Sequence, residues 1–207
     1  MRDPWILVTA VLAVWSIASL ALARNAEARA TGRIPPLPWR APAALALAAL
    51  CALLGRATPG AAITCGFACI ALVAAADSDA RTGYLFDAVT FPAAVLTTFA
   101  AIVTGTTFEA ACGVVLLVGG FGAVVVFSKG RLMGMGDVKA MFALGAAFGP
   151  LESLIAIFAA CLCGIAVLSL AGSMRRGARL YFGPHIAAGS LFALIAGDPI
   201  VHRLMGL

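Results

Sequence analysis

Charged residues are scarce in this sequence: they make up 11% of its 207 residues, whereas 63% are hydrophobic. A soluble globular domain carries about 25% charged residues, so this chain has too little polar surface to cover itself in water. Apolar runs of about 20 residues, the length needed to cross a bilayer, recur from end to end. The composition therefore predicts a single polytopic membrane domain over residues 1–207, with no soluble module.

Metal-binding and nucleophile motifs are also missing. None of the cysteines forms a C-x-x-C pair, and neither histidine lies near a pair with zinc-ligand spacing. No serine or cysteine is placed near a histidine in the manner of a catalytic triad. All six cysteines lie inside apolar runs, where a thiol behaves as a small hydrophobic side chain: Cys51, Cys65, Cys69, Cys112, Cys161 and Cys163. We predict no metal, no cofactor and no disulfide framework.

Eight apolar segments predict an all-α bundle of about eight transmembrane helices. Two of them, 41–55 and 138–149, are short for a full crossing; they either extend into flanking residues or are sheltered by neighbouring helices. The predicted spans are 4–23, 41–55, 60–76, 88–105, 107–127, 138–149, 151–172 and 185–201.

The basic residues are distributed unevenly between the two sides of this predicted bundle. If the segment after the first span faces the cytoplasm, most of the 14 Lys and Arg residues lie on that side, and the positive-inside rule places both termini outside. The net charge of +5 is therefore a topology signal, and the chain has no basic soluble face for nucleic acid. The first span carries an A-x-A pattern at 21–23, but Asp3 cancels the charge of Arg2, so we expect an uncleaved helix. The predicted cytoplasmic residues are Arg24, Arg29, Arg33, Arg40, Arg81, Lys129, Arg131, Lys139, Arg175, Arg176 and Arg179.

The nine acidic residues divide into two groups. Five are explained by solvation near termini and loops, or by favourable positions at helix starts: Asp3, Glu27, Asp198, Glu109 and Glu152. The other four reach the same predicted cytoplasmic face, near the end of the third span and the start of the sixth: Asp77, Asp79, Asp87 and Asp137. An ionised Asp in the hydrocarbon costs about 2.5–3.5 kcal/mol on insertion scales, so carboxylates at this edge favour a functional hypothesis.

Helix capping, or ion pairing with Arg81 or Lys139, is the alternative role for these four acids. For Asp77 an ion pair or a helix cap is the preferred interpretation. For Asp87 the two interpretations are evenly balanced.

The residues next to Asp137 favour a catalytic role for this aspartate. Gly134 and Gly136 remove side chains on the approach to it, so a substrate backbone could come close and the chain could adopt positive φ. Two carboxylates at one partly desolvated, water-accessible site can share a proton. The ionised one then acts as a general base on water while the protonated one polarises a peptide carbonyl. Asp79 and Asp137 therefore predict peptide hydrolysis without a metal.

Three stretches resemble motifs of the type IV prepilin leader peptidases, which are membrane aspartic peptidases with a G-x-G-D signature. The resemblance implies that Asp137 is the second catalytic aspartate and Asp79 the first, with Asp87 in the family's Asn/Asp position. The stretches are "GMGDVKAMFALGAAFG" (134–149), "DARTGYLFD" (79–87) and "YFGPHIAAG" (181–189).

Three features depart from the family pattern. Phe86 stands where the family usually has Pro, which bears on the turn after Asp79. His185 replaces an aromatic or apolar residue, and we interpret it as packing or as a helix cap. The segment 24–40 is far shorter than the cysteine-bearing domain of the long forms, so the chain resembles the short, cleavage-only forms, and we expect no N-methyltransferase activity.

The resemblance implies a membrane aspartic endopeptidase of the bacterial inner membrane. Its partners would be membrane lipid and a prepilin or pseudopilin substrate, whose short basic leader is cut at the cytoplasmic face after a Gly. Around the catalytic pair, supporting roles fall to Gly134, Gly136, Arg81, Lys139 and Asp87, although plain cytoplasmic anchoring explains the two basic residues almost as well.

Two other functions compete with this prediction. A small proton-coupled transporter would also place Asp residues in the membrane. Against it, the acids cluster at one face and no inverted repeat is evident. The third possibility is a non-catalytic pilus or secretion assembly protein on the same scaffold.

Overall fold

The computed structural model describes residues 4–33, 40–56, 58–131, 133–170 and 181–206, and these residues form seven helices and no strand. Six of the helices are long and apolar enough to cross a membrane, and the second is a shorter apolar helix. The chain is therefore an all-helical, multi-pass membrane protein, as its composition predicted. The helices are α1 (Pro4–Thr31), α2 (Arg40–Gly55), α3 (Pro59–Thr82), α4 (Asp87–Thr104), α5 (Thr107–Ser128), α6 (Met135–Leu170) and α7 (Phe182–Met205).

Helix α6 consists of two arms that meet at Gly149. This glycine adopts φ 66° and ψ −172°, a conformation that essentially only glycine reaches, and Pro150 follows it. The first arm packs on α5 and the second on α7, where Gly189 lies against the backbone of Ala156. The arms, residues 135–148 and 150–170, correspond to the separate spans predicted at 138–149 and 151–172. When the two arms of α6 are counted separately, the described residues contain eight helical segments, as predicted.

Helix α3 is the central helix of the bundle. Most of its residues are buried, and α1, α2, α4, α6 and α7 all pack against it. It begins at Pro59, where the N-cap Thr58 accepts a hydrogen bond from the Ala61 N–H at 3.3 Å. It ends at Gly83, whose φ of 72° stops the helix, and the Gly83 N–H donates to the Asp79 carbonyl at 2.8 Å. These two boundaries place Asp79 in the last turn.

Small residues let the helices approach closely. Neither Gly113 of α5 nor Gly145 of α6 has room for a Cβ, because each lies against the backbone of the other. Such contacts are typical of helix packing in membranes, where association depends on van der Waals fit. They fix the first arm of α6, which carries Asp137, against its neighbours.

The topology collects charged residues at two opposite ends of the bundle. At the Asp79 end, defined by Asp79, Arg81 and Lys139, the last turns of α1 and α3 meet the first turns of α4, α6 and α7. At the Arg56 end, the α2–α3 connection meets the bend of α6 and the last part of α7. Arg81 and Lys139 share one end and Arg56 lies at the other, which agrees with the sides expected for them. The residues predicted to be cytoplasmic at 175, 176 and 179 lie outside the described residues, as does part of the segment 24–40.

Candidate active site

Asp79 is a buried carboxylate at the last turn of α3, with only 5% of its surface exposed. Its Oδ2 accepts a hydrogen bond from the backbone N–H of Gly183 at 2.9 Å. Gly183 lies in the first turn of α7, where backbone N–H groups have no partner within the helix and the helix dipole is positive. A separate helix therefore holds and orients the Asp79 carboxylate.

The contact between α7 and Asp79 leaves no space for a side chain at Gly183. A Cβ built on Gly183 would lie 2.7 Å from Oδ2 of Asp79 and 3.0 Å from its Cβ. Gly183 was predicted only as part of the stretch 181–189, without an individual role. The feature that could have pointed to it is its position directly before Pro184, at the start of the last apolar run.

Asp137 lies in the first turn of α6 and is half-buried. Its Oδ2 accepts a hydrogen bond from the N–H of Gly134 at 3.2 Å, so the carboxylate turns back toward the tip of its own helix. A capping contact of this kind is the structural role that had been weighed against catalysis. This hydrogen bond involves one of the two carboxylate oxygens, and the side chain lies at the N-terminal tip of α6.

The two predicted catalytic aspartates come together at the Asp79 end. Asp79 arrives on the last turn of α3 and Asp137 on the first turn of α6, where Leu85 of the α3–α4 turn packs against Gly136. None of the ion pairs among the described residues involves either of them. Within the described part of the chain, the contacts that stabilise these carboxylates are therefore hydrogen bonds from the backbone N–H groups of Gly183 and Gly134.

Arg81 is held away from this pair by two other acids. Its Nη2 lies 2.6 Å from Oδ2 of Asp77 and 3.1 Å from Oε2 of Glu27. The ion-pair interpretation of Asp77 is thus confirmed. The interpretation of Glu27 as a solvated loop residue is wrong, because α1 continues to Thr31 and Glu27 is only 6% exposed within it.

Lys139 pairs with Asp87 rather than with the two catalytic candidates. Their Nζ and Oδ2 atoms are 2.6 Å apart, and both side chains are largely exposed. The pair joins the first turn of α4 to the first turn of α6, so Asp87 has the ion-pair role that the sequence left balanced against a functional one.

The two signature glycines have different surroundings. A Cβ on Gly136 would lie 3.1 Å from the Cβ of Leu85, so this glycine allows the α3–α4 turn to pack on α6. Gly134 is exposed and open, with Asp137 as its nearest side chain. Neither glycine adopts the positive φ that the sequence allowed. Only Gly134 therefore leaves free space for a substrate backbone beside Asp137.

Two further departures from the motif pattern fit the fold. Phe86 has φ −78° and ψ 130°, values that a proline would also adopt, so the turn before α4 keeps a proline-compatible backbone. His185 is buried in the first turn of α7, in agreement with the packing role expected for it. Among the described residues, no three His, Cys, Asp or Glu side chains are grouped to hold a metal ion.

Comparison with known proteins gave one match. A protein-family model described as the type IV leader peptidase family matches residues 66–169, about half of the chain. The matched region contains both Asp79 and Asp137. No curated protein and no solved structure matches the chain.

Proposed function

The chain belongs to the type IV leader peptidase family, and from this premise we propose that it is a membrane aspartic endopeptidase with Asp79 and Asp137 as its catalytic pair. The observation that carries the proposal is the arrangement of these two carboxylates. They come from different helices to the same end of the bundle, and neither has a cationic partner among the described residues.

The proposed mechanism uses one shared proton. Two carboxylates at one site cannot comfortably both ionise, so the pair holds a single proton between them. The ionised member removes a proton from water as the water oxygen attacks the peptide carbonyl carbon, and the protonated member donates to the carbonyl oxygen. Collapse of the tetrahedral intermediate breaks the C–N bond, and a carboxyl proton passes to the leaving nitrogen. The contact from Gly183 keeps the Asp79 carboxylate in place throughout these steps.

The proposed substrate is a prepilin or pseudopilin, cut at the cytoplasmic face of the bacterial inner membrane after the Gly that ends its basic leader. Two features support this. Family membership points to leader cleavage, and Arg81 and Lys139 lie at the Asp79 end, on the side that the positive-inside rule assigns to the cytoplasm. Because both cations already have acidic partners, their role here is to anchor that end of the bundle. No methyl transfer is included in the proposal.

Reconstitution in liposomes with a prepilin-like peptide tests the proposal. Asp79→Asn and Asp137→Asn should each lower the cleavage rate by at least about 100-fold, the lower range for loss of a general acid or base. Asp77→Asn is the matched control, since it removes a nearby carboxylate that pairs with Arg81. It should leave most of the activity. Activity that depends on Asp77 and not on Asp79 would contradict the assignment, and proton flux without proteolysis would favour a transporter.

A further inference from the structure

An apolar groove of about 940 Å³ runs along the outside of α4. The first arm of α6 forms its other wall, and Val118 of α5 closes one side. The side chains that α4 contributes are spaced three and four residues apart, so they form one continuous face of that helix. Its main apolar lining residues are Phe91, Val95, Phe99 and Ile102 of α4 with Val138 and Phe142 of α6.

The groove is apolar along almost its whole length. The hydroxyls of Thr90 and Thr98, its polar lining groups on α4, donate to carbonyls of their own helix. Its charged lining residues, Asp87 and Lys139, pair with each other at the Asp79 end. From Asp87 to Ile102 the groove extends about 22 Å at 1.5 Å per residue, which covers most of a hydrocarbon core of about 30 Å. The dimensions and the polarity therefore suit a transmembrane helix.

The groove is also continuous with the candidate catalytic site. Met135, Val138 and Lys139 line it from the same turns of α6 that carry Asp137. At 100° per residue Asp137 lies across the helix from Met135, but its carboxylate turns toward the tip of α6, where Gly134 is open. A chain leaving the groove can pass over this tip. At about 3.3 Å per residue, about three extended residues cross a helix about 10 Å wide.

We propose that this groove binds the apolar helix of the substrate, with the scissile bond about three extended residues beyond the point where the helix ends. The inference rests on the proposed function, in which the basic leader of the substrate is followed by an apolar helix. That helix must start within a few residues of the scissile bond at Asp137 and continue into the bilayer.

The other large cavities of the described residues do not meet this requirement. One of about 470 Å³ lies between α1 and α2 and is lined by residues such as Thr9 and Leu45; among the described residues, neither of these helices packs against α6. One of about 810 Å³ lies at the Arg56 end, beside Glu152 and Asp198. Of these three, the α4–α6 groove alone is lined by the residues of α6 next to Asp137.

A groove-filling variant tests the proposal through the Michaelis constant. The probe is a synthetic peptide with a basic leader ending in glycine and an apolar helix of about 20 residues, presented in liposomes. Val95→Trp should raise KM about tenfold, equivalent to about 1.4 kcal/mol, with kcat unchanged. Val14→Trp is the matched control, since Val14 is mid-helix on α1 and 67% exposed, against 51% for Val95. Equal KM values for the two variants would overturn the proposal.

Photocrosslinking separates substrate binding from catalysis. With p-benzoylphenylalanine at position 95, the peptide should be captured, and unlabelled peptide should compete; at position 14 only lipid should be captured. Capture of lipid alone at position 95 would overturn the groove as a docking surface, even if the peptide is cleaved. Capture of the peptide at position 95, together with a failure of the unlabelled wild-type protein to cleave that peptide, would leave the docking surface standing and remove the proposed function.

Discussion

Glu152 at one end of the bundle and the pair Asp79 and Asp137 at the other are held in opposite ways. At the Arg56 end, Glu152 is paired with the guanidinium of Arg56, and Asp198 lies 3.5 Å from the same group. At the Asp79 end, Asp79 and Asp137 accept hydrogen bonds from backbone N–H groups and form no ion pair with any other described residue. Burying a charge without an ionic partner is expensive. At the Arg56 end the ion pair offsets this cost, as is typical of structural sites. At the Asp79 end no described cation offsets it, which is an arrangement typical of catalytic sites.

The Arg56 cluster joins three parts of the chain. Arg56 is 7% exposed, and its guanidinium also lies over the ring of Phe148 at 5.3 Å. Burial alone would lower the pKa of Arg56, but the hydrogen bond to Glu152 and the neighbouring charges outweigh it and hold the pKa above its usual value. The guanidinium therefore stays charged, and it ties the α2–α3 connection to the bend of α6 and to α7.

The largest expected effect outside the aspartates is on Gly183. Gly183→Ala would place a methyl group against the Asp79 carboxylate, which must then move. Because a displacement of about 1 Å can cost about 100-fold in rate, we expect kcat to fall by about that factor. Gly122→Ala on α5, where a Cβ meets open space, is the control for helix glycines and should leave kcat unchanged. A fully active Gly183→Ala would show that this contact does not position Asp79.

The next largest expected effect is a loss of stability, and it tests whether the Arg56 end has a structural role. Arg56→Met removes the cation from Glu152, whose side chain is only 15% exposed, so we expect a loss of about 3–5 kcal/mol in the free energy of unfolding. Cleavage per folded molecule should stay close to that of the wild type. Reversible unfolding in detergent micelles and the peptide assay measure the two quantities, with the exposed Arg203→Met as control. An Arg56→Met variant that is stable but inactive would indicate a catalytic role for the Arg56 end and contradict this distinction between the two ends.

The smallest effect belongs to the exposed ion pair at the Asp79 end. Asp87→Asn removes the partner of Lys139, but both side chains are largely exposed, so we expect a stability loss of about 1 kcal/mol or less. Cleavage should change little. Unfolding measured at low and high salt checks the assignment, because the difference between wild type and variant should shrink as salt screens the pair. A rate loss comparable to that of Asp137→Asn would return Asp87 to the catalytic group.

The helical segments were predictable because length and hydropathy set them. The bend at Gly149 was visible as the boundary between two apolar runs, and the G-x-G-D stretch made Asp137 a candidate site residue. Contacts between distant parts of the chain were not predictable. Glu27 was misinterpreted because α1 continues beyond its last apolar residues. Gly183 meets Asp79 across 104 residues and Arg56 meets Glu152 across 96, and neither pair shares a local pattern.

The cleavage rates of Asp79→Asn, Asp137→Asn and the double variant, measured under single-turnover conditions in liposomes, test most directly whether the two aspartates act as one unit. Residues that act together are strongly non-additive. We predict that the double variant is no slower than either single variant, and that each single variant has lost nearly all activity. A double variant slower by the product of the two single effects, or a single variant with near wild-type cleavage, would contradict a shared-proton pair at positions 79 and 137.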